Sequence, residues 1–459
     1  MQKYKLTSLI KSFIIAAIPV LLLANSVVFG EDTVARLTLK TAIEKALNQN
    51  LNLNQYANQV KTNTLNYKQS KQNLLPNLQG SLSSTRRFDK QYDDLTNTTT
   101  DHNSNSLSAS VQSNLNIFNG FGDKADIEKS GSDLNAIKYN YQREKENIIF
   151  ETISRYLELI QNAEVIGIEK ADLTAQQDQL DRIKEFYETG NKPISDVLQQ
   201  RADIADAELR VLNAENNYEI SRLNLLEILG EMPDQQYEFI APDSMLVAEI
   251  INSPTVSDFN YETRADWKAE EYTLKGTDYE IDAARSGYWP SVNMSLSAGS
   301  NYSSDRTGLG FTNQFNDINP YGTVGISLSL PIFEKFQTHN SVQIAKINKE
   351  SETLEQEKLR LAIQLDTQQA RFDYETAVKQ KEAANAKLDY ARQSLEVTEA
   401  RYNVGSSTYV ELSQIRASYL SAANDRIQAV YNHLLKRLEL SYNYGTIEEM
   451  LTNLNLLEN

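Results

Sequence analysis

The sequence contains no cysteine and only three histidines. The absence of cysteine excludes disulfide bonds, thiolate metal sites and a lipid anchor on an N-terminal cysteine, so stability must come from packing or assembly. The histidines, at positions 102, 339 and 433, are far apart and show no metal-ligand spacing. Glycine-rich phosphate loops and nucleophile-elbow motifs are missing as well. The sequence therefore indicates no catalytic constellation, no metal site and no cofactor.

Positive charge is scarce, because 45 Lys and Arg are set against 62 Asp and Glu, for a net charge of −17. A surface of this sign repels phosphates, which argues against a nucleic-acid partner. Apolar runs are short as well. Three N-terminal lysines, the apolar run Phe13–Leu23 and the small residues after it predict a signal peptide over residues 1–30. An uncleaved anchor is the alternative, and the short run disfavours it.

The most informative feature that is present is an internal repeat. From Tyr187 and Tyr402 to Gly230 and Gly445, the two halves match at one constant offset without a gap. Each half reads as helix, β-hairpin, long helix, tight turn and helix, with the hairpins over 76–118 and 290–333 and the turns near 190 and 405. The predicted division is a first repeat at 31–230, a linker at 231–262, a second repeat at 263–445 and a C-terminal tail at 446–459.

The predicted strands alternate apolar and small polar residues, as in Val324-Gly-Ile-Ser-Leu-Ser-Leu330. This period of two puts apolar side chains on one face of a sheet. Runs of about 10–13 residues with aromatic residues near their ends are typical of strands that cross a membrane as part of a barrel. A soluble, half-buried sheet would alternate in the same way. The polar stretches 89–106 and 303–320 are predicted as loops between paired strands.

Two very long helices follow the hairpins. Proline is absent from Lys124–Tyr187 and from Ser341–Tyr402, which predicts helices of about 90 Å each. Val197, Ile204 and Val211 recur every seven residues and continue downstream, which predicts a coiled-coil seam. A soluble helical bundle would explain these helices but not the four strands.

Four spanning strands cannot close a barrel, and an open sheet edge is not tolerated in lipid. Two copies would give eight strands, and an eight-stranded barrel is filled by its own side chains. Three copies would give twelve, and the small inward residues favour that wider lumen. The predicted fold is an α + β membrane protein that forms a trimeric 12-stranded transmembrane β-barrel, with four strands per protomer, continued by a long helical coiled coil.

Several motifs carry a family resemblance: the opening Leu37–Asn50, the strand starts at Pro76 and Pro290, and Tyr-x-x-Gly followed by Asp196 or Glu411. The chain resembles the TolC family of outer-membrane efflux proteins. The resemblance implies a homotrimer in the outer membrane of a Gram-negative cell, with a periplasmic helical tunnel. It also implies a periplasmic adaptor (membrane fusion) protein, an inner-membrane RND or ABC pump, and the role of passive exit duct in a tripartite efflux pump or type I secretion system.

In the channels that this chain resembles, the turns at Gly190 and Gly405 are the periplasmic tips. Tyrosines there bond to neighbouring helices and close the mouth, and Tyr402 and Asp196 match such a link. The resemblance places Glu411 in a ring of carboxylates around the closed mouth. Asp196 and Glu411 also lie in first helical turns, where the macrodipole favours acids, so helix capping is the alternative role.

Two departures from the family pattern predict a weaker closing network, because Ser407 stands where an arginine often lies and Gln414 where a carboxylate is usual. A structural trimeric coiled-coil stalk or adhesin in the outer membrane, without transport, is the alternative function. A periplasmic enzyme is disfavoured by the missing catalytic constellation. The sequence does not identify the cargo.

Overall fold

A computed structural model describes residues 35–95, 97–252 and 259–457, so the predicted signal peptide lies outside the described residues. The strands are β1 Ala35–Leu37, β2 Gln79–Asp93, β3 Thr98–Asn119, β4 Tyr237–Phe239, β5 Ser291–Ser303 and β6 Tyr321–Ser329. The helices are α1 Leu39–Gln49, α2 Leu51–Gln72, α3 Gly122–Glu188, α4 Ile194–Leu229, α5 Ser244–Asn252, α6 Ala265–Arg285, α7 Gln337–Asn403, α8 Tyr409–Asn443 and α9 Ile447–Asn453.

The two longest helices, α3 and α7, have 67 residues each and therefore extend about 100 Å. Each follows a strand through a sharp turn in which a phenylalanine adopts a left-handed backbone, with φ of 70° at Phe121 and 63° at Phe336. The Phe121 ring meets Phe118 and Trp289 edge-on, with centroids 5.1 and 6.2 Å apart. These contacts hold aromatic side chains at the junction between sheet and helices, where a barrel girdle is expected.

β2, β3, β5 and β6 form one antiparallel sheet in that order. Directly opposed residues such as Leu115 and Met294 point to the same face, and the alternation in the sequence makes that face apolar. Its side chains are exposed in the single chain, with Val324 and Ile326 each 70% exposed. The other face carries hydroxyls that bond across strands; Ser297 and Thr323 are 2.6 Å apart. Among the described residues, β2 and β6 each have a strand neighbour on one side only.

The prediction of a polar loop over 89–106 is wrong for most of its length. β2 and β3 remain paired from Gln79 opposite Gln112 to Asp93 opposite Thr98, so only a short turn separates them. Polar residues satisfy strand pairing through their backbone groups, which a reading of side-chain polarity misses. The stretch 303–320 is a loop as predicted, but it contains the helical turn Asn313–Ile318.

The largest hydrophobic core lies in the middle of the helices, where α1, α3, α8 and α9 meet the parallel pair β1 and β4. The Tyr156 hydroxyl lies 2.7 Å from the Leu37 carbonyl and 2.6 Å from the Ile240 carbonyl, which fixes that strand pair against α3. The predicted C-terminal tail contributes α9 to this core, where Ile447 and Leu451 are fully buried. The predicted linker is also partly regular, since it supplies β4 and α5.

Two arginines hold the end of α8 against the rest of the helical body. Arg143 donates to the Tyr442 carbonyl at 3.1 Å, and Arg264 donates to the Asn443 carbonyl at 2.9 Å. Both also pair with Asp266. Positive charge at a helix C-terminus offsets the negative end of its dipole, so this network stabilises the junction of α3, α6 and α8. No helix in the described part of the chain has an apolar stretch long enough to span a membrane.

Candidate functional site

The candidate site lies at the turns that join α3 to α4 and α7 to α8, at the end of the helices far from the sheet. Gly190 and Gly405 have φ of 76° and 80°. In the first turn, the Gly190 and Asn191 amides donate to the Tyr187 and Phe186 carbonyls at 3.0 and 2.8 Å. The second turn repeats this pattern. It is the Schellman geometry, which requires a left-handed residue after the helix and so explains the glycine in both repeats.

The two acidic residues that the sequence singles out occupy equivalent positions in the first turns of α4 and α8. The Asp196 amide donates to the Pro193 carbonyl at 3.1 Å, and the Glu411 amide donates to the Thr408 hydroxyl at 3.2 Å. Both carboxylates lie near the positive end of a helix dipole, which stabilises their charge. Their surroundings otherwise differ, and the two acids do not lie in one cluster of side-chain contacts.

Glu411 is held within its own helical hairpin. Its carboxylate accepts from Arg401 at 3.2 Å and from the Ser407 hydroxyl at 2.6 Å. Arg401 and Glu411 are both about half exposed, so the ion pair is solvated and contributes little stability. It nevertheless places a positive charge next to each Glu411, and thereby reduces the negative potential that this residue alone would create.

Asp196 is joined to the other helical hairpin. The Tyr402 hydroxyl donates to Asp196 Oδ2 at 3.2 Å, so the first hairpin, α3 and α4, is bonded to the second, α7 and α8. Tyr402 is fully buried. Burial first, and then the neighbouring Asp196 carboxylate, raise the pKa of the Tyr402 hydroxyl well above its usual value. The hydroxyl is therefore protonated, as a donor must be.

Lys192 lies on the other side of the same tyrosine. Its Nζ is 3.7 Å from the centroid of the Tyr402 ring and 3.4 Å from the Tyr402 carbonyl oxygen. A cation over an aromatic face is attracted by the ring quadrupole, and here it also bonds to the last turn of α7. Tyr402 is thus bonded to the first hairpin through its hydroxyl, its ring and its backbone.

A second contact between the hairpins lies one step further into the helices. The Tyr409 hydroxyl is 2.7 Å from Asp203 Oδ2 and 2.8 Å from Gln200 Oε1, and the Ser413 hydroxyl donates to the same Asp203 oxygen at 3.0 Å. Burial, then the hydrogen bond with Asp203, raises the pKa of Tyr409 well above its usual value. We call the residues of both contacts the tip cluster: Lys192, Asp196, Gln200, Asp203, Tyr402, Tyr409 and Ser413.

Apolar packing surrounds the tip cluster. Ile183, Val197 and Leu412 are buried against the two tyrosine rings, which meet edge-on with centroids 6.1 Å apart. The Tyr409 contact with Gln200 is therefore buried and its contact with Asp203 is partly buried, where a hydrogen bond to a carboxylate contributes more than one in water. Movement of one hairpin away from the other would have to break both polar contacts and expose this apolar patch.

Further polar contacts join the hairpins above the tip. Asn424 of α8 donates to Glu169 of α3 at 3.0 Å, and the Tyr431 hydroxyl donates to Glu164 at 2.7 Å. Arg210 of α4 pairs with the same Glu169 at 2.9 Å. The contacts between the hairpins therefore extend from the tip toward the central core. Across the described residues, no group of three or more His, Asp or Glu side chains is arranged to hold a metal ion.

The sequence located part of this site. Asp196, Tyr402, Gly190 and Gly405 lie at the tip, and the structure brings Tyr402 to Asp196. The structure does not bring Glu411 to that link. Sequence reasoning missed the second contact and the lysine: Lys192, Gln200, Asp203, Tyr409 and Ser413. The sequence did contain one indication of Asp203. This residue follows Asp196 by seven positions and therefore lies on the same side of α4.

The comparisons with known proteins agree on one family. A family model described as outer membrane efflux protein matches residues 42–231 and 262–445. The chain is similar to the outer membrane protein TolC of Escherichia coli (strain K12), with 23% identity over 76% of this chain and 71% of that protein. It is also similar to the outer membrane efflux protein BepC of Brucella suis, with 20% identity over 84% of this chain and 78% of that protein.

Solved structures share the fold. A crystal structure of CusC superposes with a TM-score of 0.76 at 16% identity and covers 90% of this chain and 93% of that one. The Campylobacter jejuni CmeC outer membrane channel gives a TM-score of 0.75 at 17% identity, over 92% of this chain and 90% of that one. At these identities the likeness establishes the arrangement of sheet and helices.

Proposed function

Because the chain belongs to the outer membrane efflux protein family, and so forms an outer-membrane duct of efflux pumps, we propose that three copies assemble into one channel that is closed at its helical tips. The sheet lies in the outer membrane, and the helices extend on the periplasmic side. The observation that carries the trimer is the four-stranded sheet, whose two edges are free among the described residues. A free edge in lipid leaves backbone groups without partners, so β6 of one copy must pair with β2 of the next.

The composition of the polar face supports three copies rather than two. Serine, asparagine and glycine dominate it, as in Asn293, Ser295, Ser297 and Gly299 of β5. Side chains this small would leave an eight-stranded barrel poorly filled, whereas twelve strands enclose an open lumen. Native mass spectrometry of the detergent-extracted protein tests the assembly. A trimer is expected, and a folded monomer or a stable dimer would contradict the proposal.

We place the closure of the channel at the tip cluster. In a ring of three copies, the second hairpin of each copy can leave the closed position only if it separates from the first hairpin. The Tyr402 to Asp196 bond and the Tyr409 to Asp203 bond oppose that separation, and apolar packing buries both tyrosines. The sequence replaces a common arginine of this family by Ser407. Ser407 bonds to Glu411 of its own hairpin, so the restraint between the hairpins comes from the two tyrosine contacts.

The partners that fit this arrangement are a periplasmic adaptor protein and an inner-membrane pump of the RND or ABC type, serving efflux or type I secretion. The exposed tips around Gly190 and Gly405 are the parts of the chain farthest from the membrane-embedded sheet, so they are the surface that an adaptor reaches first. The chain has no cysteine, so a single cysteine at Ser406 can carry a photoreactive cross-linker without background. Cross-links to one periplasmic protein are expected, and the same label at Thr62 of α2 is the control.

A further inference from the structure

The loop between β5 and β6, residues 304–320, is fixed to the sheet rather than free. Gln314 is fully buried, and its amide nitrogen donates to the Ser303 and Leu309 carbonyls, both at 2.9 Å. The Ser303 amide donates to Gln314 Oε1 at 3.0 Å, and the Ser300 hydroxyl donates to the Phe315 carbonyl at 2.5 Å. A buried amide with all these partners satisfied holds the helical turn of the loop at one position on β5.

The loop is held on the apolar face of the sheet. Ser300 lies opposite Ala109 and Tyr302 opposite Leu107, so both point to the same side as Met294. The Tyr302 ring contacts Phe311 with centroids 5.4 Å apart, and Phe311 stacks on Phe315 at 5.1 Å. The loop therefore folds outward over the face that lies against lipid, and not inward over the polar face that lines the lumen.

The height of the loop follows from the strand lengths. β6 has 9 residues, and a tilted strand of that length rises about 23 Å, close to the roughly 25 Å apolar band of an outer-membrane barrel. β3 has 22 residues and continues well beyond it. The loop joins β5 and β6 at the sheet end opposite the helices, which is the extracellular end. It thus lies at the outer boundary of the membrane, beside the taller first hairpin.

The loop exposes three large apolar side chains. Leu309, Phe311 and Ile318 are 37%, 47% and 50% exposed, although an aromatic ring and two aliphatic chains gain by leaving water. This exposed patch is continuous with the apolar sheet face, which is already a lipid interface. The charged side chains of the loop, Asp305, Arg306 and Asp317, are exposed and nearly balance, so the loop's attraction to lipid comes from its apolar side chains.

We propose that residues 309–318 form an interfacial foot that inserts Phe311 and Ile318 among the acyl chains of the outer leaflet. The foot extends the lipid contact of each protomer beyond its strands and fixes the depth of the barrel in the membrane. Short amphipathic helical segments that lie in the interface with aromatic and aliphatic side chains buried bind membranes in this way. The inference rests on the outer-membrane location of the sheet and not on the proposed gate or partners.

The test uses the absence of cysteine. Single-cysteine variants Phe311→Cys, Ile318→Cys and the exposed loop position Thr307→Cys carry a nitroxide label on the full-length protein in phosphatidylethanolamine and phosphatidylglycerol vesicles. Ile326→Cys on the sheet face is the lipid-facing reference. Electron paramagnetic resonance then compares collisions with oxygen, which concentrates in acyl chains, and with a water-soluble nickel chelate.

Labels at positions 311 and 318 should collide with oxygen in preference to nickel, as the label at 326 does, while the label at 307 should show the reverse. Equal access of nickel to 311, 318 and 307 would overturn the proposal, because the patch would then face water. Protection of 311 and 318 from both probes would also overturn it, because the patch would then be covered by protein, such as a neighbouring protomer.

Discussion

The hydroxyl groups of Tyr402 and Tyr409 offer the sharpest test of the tip cluster. Replacing each tyrosine by phenylalanine removes one donor and keeps the ring, so the apolar packing and the contact of Lys192 with the Tyr402 ring remain. The Tyr402→Phe variant loses the 3.2 Å bond to Asp196, and the Tyr409→Phe variant loses the 2.7 Å contact with Asp203. If these bonds hold the mouth closed, both variants should open more readily.

The expected shift in the balance between closed and open states follows from the geometry of these bonds. A hydrogen bond to a charged group contributes about 1.5–3 kcal/mol when buried. Asp196 is only half buried, so water replaces part of the lost donor, and we expect about 1 kcal/mol per copy at Tyr402. Three copies then shift the balance between closed and open states by about 3 kcal/mol, a factor on the order of 10². Tyr409→Phe should have the larger effect per copy, because its hydroxyl contacts the buried Gln200 as well as Asp203.

Single-channel recording in planar bilayers measures this shift as higher conductance or longer open times. The repeat supplies a matched control, because Tyr187 occupies the position equivalent to Tyr402 in the first half and is 44% exposed. The Tyr187→Phe variant should behave as wild type. An Asp196→Ala change should add little to Tyr402→Phe, because the two residues act through one bond.

The reasoning would be refuted by one clear pattern. If Tyr402→Phe and Tyr409→Phe lower the melting temperature but leave conductance at the level of Tyr187→Phe, the tip cluster only holds the helices of one chain together. The acids at the tip would then serve as helix caps and nothing more.

Three further predictions concern the tip and the α6–α7 contact. The Gly405→Val variant should form trimers but lose efflux, because a left-handed backbone costs an ordinary residue about 1–2 kcal/mol and a β-branched residue more. The Gly405→Asn variant should retain transport in a drug-susceptibility assay, because asparagine tolerates this backbone conformation. The Arg401→Gln variant should be more selective for cations in bilayers and Glu411→Gln less selective, because each substitution leaves the other member of the ion pair with an unbalanced charge. The difference should be largest at low salt, where screening is weak. Equal reversal potentials for the two variants would contradict this prediction. Burial and the neighbouring Glu352 raise the pKa of Glu270 to about 7, so the fold loses stability as the pH rises from about 4.5 through 7. The Glu270→Gln variant should therefore have a higher melting temperature than wild type at pH 8, and nearly the same one at pH 4. An equal gain at both pH values would refute this prediction.

How much of the candidate site could be predicted depended on the type of contact. The turns at Gly190 and Gly405 repeat in sequence, and glycine reports a left-handed backbone directly, so the tips were readable. The contact between Tyr409 and Asp203 could not be predicted from the sequence. Tyr402 and Tyr409 are separated by a turn, so their spacing along the chain says nothing about which helix face either presents, and their partners lie in the other repeat.

The sequence by itself determined the elements, because their signals are local. Alternation of period two produced the strands, and the missing proline allowed 67-residue helices. The seven-residue repeat from Val197 to Leu225 marked one side of α4, on which Val197, Val211 and Leu225 are buried. Polarity failed as a guide at 89–106, where backbone pairing continues through polar residues. The segment predicted as a C-terminal tail contains the short helix α9, which completes the core.

Only the tertiary structure decided which side chains of different elements meet. Glu411 and Asp196 are equivalent in sequence, yet one pairs with Arg401 of its own hairpin and the other with Tyr402 of the opposite hairpin. The loop after β5 likewise could fold to either face of the sheet until Gln314 fixed it on the apolar one. The physical reason is that local sequence sets backbone conformation within a few residues, whereas a contact across the fold depends on the relative placement of elements far apart in the chain.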